Sequence, residues 1–441
     1  MDGDLSADAG VRDGTEVSAM RKVLLRIIPF AVVGMFISYI DRVNVGFAAL
    51  EMNRDLGFSA TVFGWGVSAF FVTLCLCEVP SNIMMKRFGA RIWIARIMIT
   101  WGIISGAMAF ITGVKSFVFV RLLLGAAEAG FFPGIILFLT LWFPKEYRAK
   151  AMAFFVMALP VSNFIGSPIS GALLETEGWL GLHGWQWLFL IEAAPAVVLG
   201  IFTLFWLPST PKEAAWLTDQ ERDWLSERLD SEREQPAHVS VMGAWRIMFD
   251  PRILALALIY SGSVGCSYAM SYWQPQMIRA LGLTNFQTGF VNAIPFGFAA
   301  VAMVLGARHS DRRQERLWHT ALPFFVCALG LAACVGLTTL VPTVCALTVA
   351  VVGSYAVKAP LFALTAESLS EQASPVGIAQ VCAIGNIAGL VCPLLIGWAK
   401  DASGSFSIGL LPMVALALIA AATTIVIGRS TVVSSSRPRL T

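Results

Sequence analysis

The sequence predicts an all-α polytopic membrane protein with twelve transmembrane helices in two pseudo-symmetric six-helix bundles. Three observations lead there. The 441 residues are 57% hydrophobic and 13% charged, against about 45–50% apolar and about 25% charged in a soluble protein; mean hydropathy is +0.73. Apolar runs long enough to cross a bilayer at about 1.5 Å per residue recur along the chain. One substantial polar insert, 208–250, splits them into two sets.

The first set lies near 24–50, 59–85, 92–113, 116–143, 149–174 and 185–207, and the second near 252–279, 286–307, 318–338, 341–366, 376–399 and 406–428. The organisation expected is an N-terminal tail (1–22), a first bundle (23–207), a linker (208–250), a second bundle (251–428) and a C-terminal tail (429–441). No cleavable signal pattern precedes the first run, so the first helix is expected to target the membrane itself. Within the linker, 218–230 reads as a short amphipathic helix, with Trp216, Leu217, Trp224, Leu225 and Leu229 as its apolar stripe.

Charge sets the expected orientation. Lys86, Arg87, Arg91, Lys145, Arg148, Lys150, Arg308, Arg312, Arg313 and Arg316 fall in loops on the side of the termini, while Arg54, Lys115, Arg279 and Lys400 fall on the other. The positive-inside rule then places both termini and the linker in the cytoplasm. A net charge of +3 leaves no nucleic-acid footprint. All eight cysteines fall in apolar runs without a C-x-x-C pair, so neither a metal nor a cofactor is expected. The four histidines lie in loops or at span ends, which leaves proton chemistry inside the membrane to carboxylates.

The chemistry is densest in the fourth run, where Arg121 and Glu128 stand seven positions apart. Two helical turns put both on one face, roughly 10 Å apart along the axis. A charge on an isolated spanning helix costs at least ~2.5–3.5 kcal/mol, so this face must line a protein interior or a wet cavity. Gly125, Ala126, Ala127, Ala129 and Gly130 allow close helix approach, and Pro133 is the expected kink. In the first run Asp41 and Arg42 are neighbours whose side chains diverge by about 100°. Each needs its own partner, and the expected arrangement sets Asp41 and Glu128 against Arg42 and Arg121.

Tyr39-Ile-Asp-Arg-Val-Asn-Val-Gly-Phe-Ala48, Glu78-Val-Pro-Ser-Asn82, Lys86-Arg-Phe-Gly-Ala-Arg91, Arg121 to Gly134 and Trp142-Phe-Pro-Lys-Glu-Tyr-Arg148 follow one another in the first half. Together with the two-by-six layout and central linker, these motifs resemble the anion:cation symporter family of the major facilitator superfamily. The resemblance implies the superfamily's fold, with rocking of two bundles about a midplane site. It also implies that Asp41 and Glu128 are the protonatable acids and that Arg42 and Arg121 bind or gate the anion. The loop with Lys86, Arg87, Gly89 and Arg91 and its counterpart Gly306-Ala-Arg-His-Ser-Asp-Arg-Arg313, with Asp311 and Arg312, would act as latches during rocking. One departure is that Lys86 stands where the superfamily's general loop signature carries an acid.

The second half has many neutral polar groups in its spans, including Tyr260, Ser267, Tyr268 and Gln274 in the seventh, and Asn386 in Gly385-Asn-Ile-Ala-Gly389. Substrate contacts are expected from Arg42, Arg121, Tyr39, Lys358, Asn386 and Gln274. Lys358, within Tyr355-Ala-Val-Lys-Ala-Pro360, is either a snorkelling or acid-paired lysine or a further cation for a doubly charged acid. Glu78 and Glu192, each followed by a proline, read as supports for helix packing.

The expected function is proton-coupled uptake of a small organic anion by alternating access, in a bacterial inner membrane, with the anion, protons and the bilayer as partners and the chain acting as a monomer. Two rivals are an exchanger or facilitator of the same fold without net proton coupling, and a membrane sensor that binds the anion without passing it. An enzyme is not expected, because no nucleophile with His or metal-ligand spacing occurs in the spans.

Overall fold

A computed structural model describes residues 3–232, 249–368 and 374–435, with side chains from 14 onward except at 374–376, 379 and 429–435. Regular structure among the described residues is helical throughout. The first bundle comprises α1 (Gly3–Asp55), α2 (Ala60–Phe88), α3 (Ala90–Ala107), α4 (Val114–Glu128), α5 (Phe131–Thr140), α6 (Lys145–Leu173) and α7 (Gly184–Trp206). A linker helix, α8 (Asp219–Ser231), follows. The second bundle comprises α9 (Pro251–Arg279), α10 (Asn285–Arg313), α11 (Leu317–Ala333), α12 (Leu340–Ala356), α13 (Lys358–Ser368), α14 (Ser374–Gly385), α15 (Ile387–Ser403) and α16 (Phe406–Ser435).

Eleven helical stretches are long and apolar enough to cross a membrane, and α11 adds a shorter apolar helix. The twelve are reached because three spans are built from two helices each: α4 with α5, α12 with α13, and α14 with α15. The sequence placed a kink at Pro133, but the fourth span breaks earlier, at Ala129 and Gly130, where Gly130 takes φ 85°. A Cβ on Gly130 would also lie 2.4 Å from the Ser81 hydroxyl oxygen. Pro133 falls in the first turn of α5, where the missing N–H leaves no helical bond unmade. The stretch read as an N-terminal tail is helical from Gly3 onward.

Local chemistry starts the helices where the chain re-enters the core. Ser59 caps α2, accepting from Val62 N at 3.3 Å; Asp250 caps α9 ahead of Pro251; Thr284 and Gln287 form a reciprocal capping box on α10. Thr218 and Glu221 do the same for α8. That helix docks on the first bundle through buried Leu225 and Leu229. Glu221 accepts from Ser18 at 2.6 Å and Lys22 at 2.7 Å, and Trp216 stacks on Trp142. The part of the linker over 233–248 lies outside the described residues, as do 436–441 of the C-terminal tail.

In the first bundle α3 packs on α7, α2 on α4, and α1 on α6 and α7; in the second, α11 packs on α12 and α16, and α9 on α14, α15 and α16. The bundles meet along α6 with α10, α2 with α15, and α1 with α9. Glycines let the backbones touch there. A Cβ on Gly171 would sit 2.7 Å from Asn285 O, and one on Gly397 would sit 2.4 Å from Ala60 O.

These contacts gather at one end of the molecule, which holds the C-terminus of α1 and the N-terminus of α2. There the Asp401 carboxylate of α15 accepts from Ala60 N (3.1 Å) and Thr61 N (2.7 Å), Asn285 donates to Glu51 (2.6 Å), and Phe286 N donates to Glu175 (3.2 Å). Among the described residues, hydrogen bonds between the bundles run from the level of Tyr39 to this end. The bundles are joined at the end opposite the termini, and among the described residues no hydrogen bond joins them between the level of Tyr39 and the end that holds the termini.

Candidate functional site

Between the bundles lies a narrow cavity of about 70 Å³. The first bundle contributes Tyr39 and Arg42 from α1, Glu78 from α2, Glu128 from α4, and Phe132 and Pro133 from α5; the second contributes Tyr260, Ser267 and Tyr268 from α9, with Lys358 and Asn386. All three helix breaks open onto it. Glu128 is the last residue of α4, Lys358 the first of α13, and Asn386 joins α14 to α15. Irregular backbone at membrane depth is tolerated where it lines a cavity, which is why the breaks coincide with polar residues.

Arg42 and Glu128 form a buried ion pair across α1 and α4. Ser38 Oγ donates to the same Glu128 oxygen at 2.7 Å, and Arg42 Nη1 donates to the Tyr268 hydroxyl of the second bundle at 2.7 Å. The guanidinium thus joins a carboxylate in its own bundle to a phenol in the other. Tyr39 shares a hydrogen bond with Tyr355 at 3.0 Å, a second cross-bundle link on the cavity wall.

The expected four-residue network is divided. Asp41 is buried at 2% exposure and points away from the cavity, accepting from Trp101 Nε1 (2.9 Å) and Ser105 Oγ (3.0 Å) of α3. Arg121 is fully buried, yet among the described residues no carboxylate lies within 4.0 Å of it. Its Nε donates to Gly66 O at 3.2 Å and its guanidinium lies 4.8 Å from the Phe70 ring centre, a ring that also lies 5.4 Å from the Arg42 guanidinium. Two turns of α4 set Arg121 roughly 10 Å beyond Glu128, toward the closed end and behind Phe70. Phe70 is the piece that sequence spacing does not reveal.

Gln274 is likewise off the cavity wall. It is completely buried, about 9 Å along α9 beyond Tyr268, and donates to Asn292 Oδ1 at 2.9 Å. Asn292 in turn donates to Ser167 of α6 at 2.8 Å, so Gln274 supports the closed seam. Lys358 and Asn386 do line the cavity. The Lys358 ammonium donates to Ser263 Oγ at 3.3 Å and lies 5.0 Å from the Tyr355 ring centre. No carboxylate among the described residues lies within 4.0 Å of it, so the acid-paired reading of this lysine does not hold in this conformation.

Glu78, read from sequence as a packing residue, faces the cavity instead. The signal that could have found it is its place mid-way along α2 with Pro80 two residues on, since a proline frees backbone that favours a polar lining. Of the loop residues, Gly89 takes φ 86° between α2 and α3, a conformation that glycine reaches without strain. Lys86 and Arg87 are exposed and Arg91 half-buried. Asp311 pairs with Arg316 (2.6 Å), and Arg316 also reaches Glu367 of α13 (3.1 Å).

The sequence model of the Major Facilitator Superfamily matches residues 31–393. The chain belongs to the major facilitator superfamily. A protein of Agrobacterium vitis named as a tartrate transporter is 50% identical over 425 residues, covering 96% of this chain and 94% of its own. A protein of Pseudomonas putida named as a metabolite transport protein is 40% identical, covering 87% of this chain and 88% of its own. The fold matches the crystal structure of a bacterial homologue of the human lysosomal transporter Spinster with a TM-score of 0.76 at 16% identity, covering 92% of this chain and 96% of that one. This major facilitator protein is a membrane transporter and not an enzyme.

Proposed function

We propose that the protein carries a small hydroxylated dicarboxylate of the tartrate type into the cell together with protons, by alternating access. The observation that carries this reading is the Arg42–Glu128 pair, a cation already held by a protonatable acid on the wall of a cavity whose other wall supplies Lys358. The tartrate transporter name of a relative 50% identical to this chain supports the substrate class.

Glu128 in its ionised form occupies Arg42. An arriving carboxylate competes for the same guanidinium, whose fork fits a carboxylate bidentately. A proton on Glu128 removes the rival charge and frees Arg42 for the substrate, so proton and anion bind together. Lys358 then takes the second carboxylate from the opposite bundle, while Tyr260, Tyr268, Ser267 and Asn386 offer hydroxyl and amide partners to the substrate hydroxyls. A ligand held by Arg42 and Lys358 at once draws the bundles together at the open end. Closure there, with loss of the contacts of Asp401, Glu51 and Glu175 at the other end, completes the exchange of access. Glu78 contributes a further carboxylate to the wall, and Arg121 holds α2 and α4 together behind Phe70 without touching substrate.

The test is uptake of labelled tartrate into proteoliposomes of the purified protein. An imposed inside-alkaline gradient should drive accumulation above equilibrium, and a protonophore should abolish it. Accumulation that ignores the gradient but follows a preloaded anion would make the protein an exchanger. Saturable binding without equilibration would make it a sensor.

A further inference from the structure

Glu192 of α7 stands outside the cavity and outside the mechanism above. It is 6% exposed and sits at the junction of α7 with α1, α3 and α6. One of its oxygens accepts from Ser170 Oγ of α6 at 2.6 Å. The other, Oε2, is buried without a hydrogen-bond partner. Asn44 of α1, 1% exposed, is within reach of the Glu192 carboxyl, and neither its amide nitrogen nor its amide oxygen has a hydrogen bond of good geometry. One helical turn earlier on α1 is Asp41, which interacts electrostatically with Glu192.

We propose that Glu192, with Asp41 and Asn44 of α1 facing it, holds a second proton in a compartment behind α1, off the wall of the substrate cavity. This rests on the symport reading above for its role in transport, though not for its existence. The argument is one of satisfying buried polar atoms. The Asn44 amide nitrogen can serve the Glu192 carboxylate directly, but the buried Asn44 carbonyl oxygen then still lacks a donor, and buried polar groups are almost always paired. A proton on Glu192 Oε2 turns that oxygen into a donor for the Asn44 carbonyl oxygen. The Asn44 amide nitrogen is then free to donate toward the carboxylate that remains ionised.

The charges around the pair point the same way. The groups facing Glu192 are Asp41 and Asn44 from α1, Trp101 and Ser105 from α3 through their bonds to Asp41, and Ser170 from α6, and Asp41 also feels the Glu128 carboxylate of α4. No cation among the described residues lies within 4.0 Å of either carboxyl. Two ionised carboxylates buried here with no cation beside either would be costly. One shared proton relieves it. Uptake adds a proton to the pair from water, with no other bond formed or broken, and release returns it on the other side.

Asp41 connects this compartment to the cavity because its chain neighbour is Arg42. A change in the charge of the pair alters the packing of α1 on α3 and α7, and the same helix carries the guanidinium that Glu128 and the substrate compete for. Two protons held in two places also suit a substrate with two carboxylates, since their combined transfer is electroneutral.

Infrared difference spectroscopy of the reconstituted full chain tests the site without transport. The carbonyl stretch of a protonated buried carboxyl is expected at neutral pH, absent or shifted in both E192Q and D41N and retained in E128Q. If E192Q and D41N both keep the wild-type band, the proposal is overturned. If E192Q does not fold, S170A removes only the hydroxyl on Glu192 and should shift that band; an unmoved band overturns the proposal equally. The transport readout is the proton-to-tartrate ratio, which should fall by about one in E192Q with loss of the acid-side activation of uptake. A wild type that moves no proton with tartrate would defeat the symport reading while the infrared result still decides the site.

Discussion

Asp41 and Arg42 are adjacent in the chain and serve opposite compartments. Asp41 turns to Trp101 and Ser105 on the α3 side, whereas Arg42 turns to Glu128 and Tyr268 on the cavity side. α1 is therefore a wall with one charge on each face, and a rotation of it is felt on both.

Glu128→Gln should separate coupling from carriage. The amide keeps the shape of the side chain and a hydrogen-bond acceptor for Ser38 but carries no titrating proton. Accumulation of tartrate driven by a pH gradient should be lost, while counterflow exchange of preloaded substrate persists. Proteoliposome uptake with and without preloading checks this, and loss of both in a folded variant would remove Glu128 from the coupling step.

Lys358→Met should select against dicarboxylates. A hydrogen bond to a charged group contributes about 1.5–3 kcal/mol, so KM for tartrate should rise at least tenfold or so. Binding of monocarboxylates should change little, because Arg42 still serves their single group. Competition by mono- and dicarboxylates against labelled tartrate measures the difference.

Gly171→Leu should prevent closure of the end opposite the termini. A Cβ there already meets Asn285 O at 2.7 Å and Gly289 Cα at 2.9 Å, and the rest of a leucine has nowhere to go. Overpacking of this kind costs about 1–3 kcal/mol, enough to shift a two-state equilibrium by roughly 5–150-fold. Labelling of cysteines introduced at the seam should increase sharply.

Asp401→Ala removes the carboxylate that accepts from Ala60 N and Thr61 N across the seam. A lost cap of this sort costs about 1 kcal/mol, roughly fivefold in the equilibrium between the two facing states. The effect should be smaller than that of Gly171→Leu and in the same direction, read by the same labelling.

Docking of the linker should weaken in acid. Burial would raise the Glu221 carboxyl, but the Lys22 ammonium, the Ser18 hydroxyl and the Thr218 amide outweigh it and hold it at about 2, below its ordinary 4.5. A lowered folded value stabilises the docked helix above the free value, and that stability is lost as pH falls from 4.5 toward 2. Hydrogen exchange of α8 should rise across that window, and Glu221→Gln should show the undocked behaviour at neutral pH.

The sequence by itself determined the number and placing of the spans, the polar linker and the residues that carry charge into the membrane. Hydropathy and length suffice for these, because a bilayer imposes one local requirement on every helix that crosses it. It could not determine which charge meets which. Arg42 and Tyr268 are 226 residues apart and Ser38 and Glu128 are 90 apart, and helices buried on several sides carry no single polar stripe to show which face looks at the cavity. The tertiary structure decided that Arg121 goes behind Phe70, that Glu78 faces the cavity and Gln274 the seam, and that Asp41 turns to α3 while Glu192 turns to Ser170 of α6. Those outcomes depend on the rotation of each helix against its neighbours, a property of the packed assembly and not of any one segment.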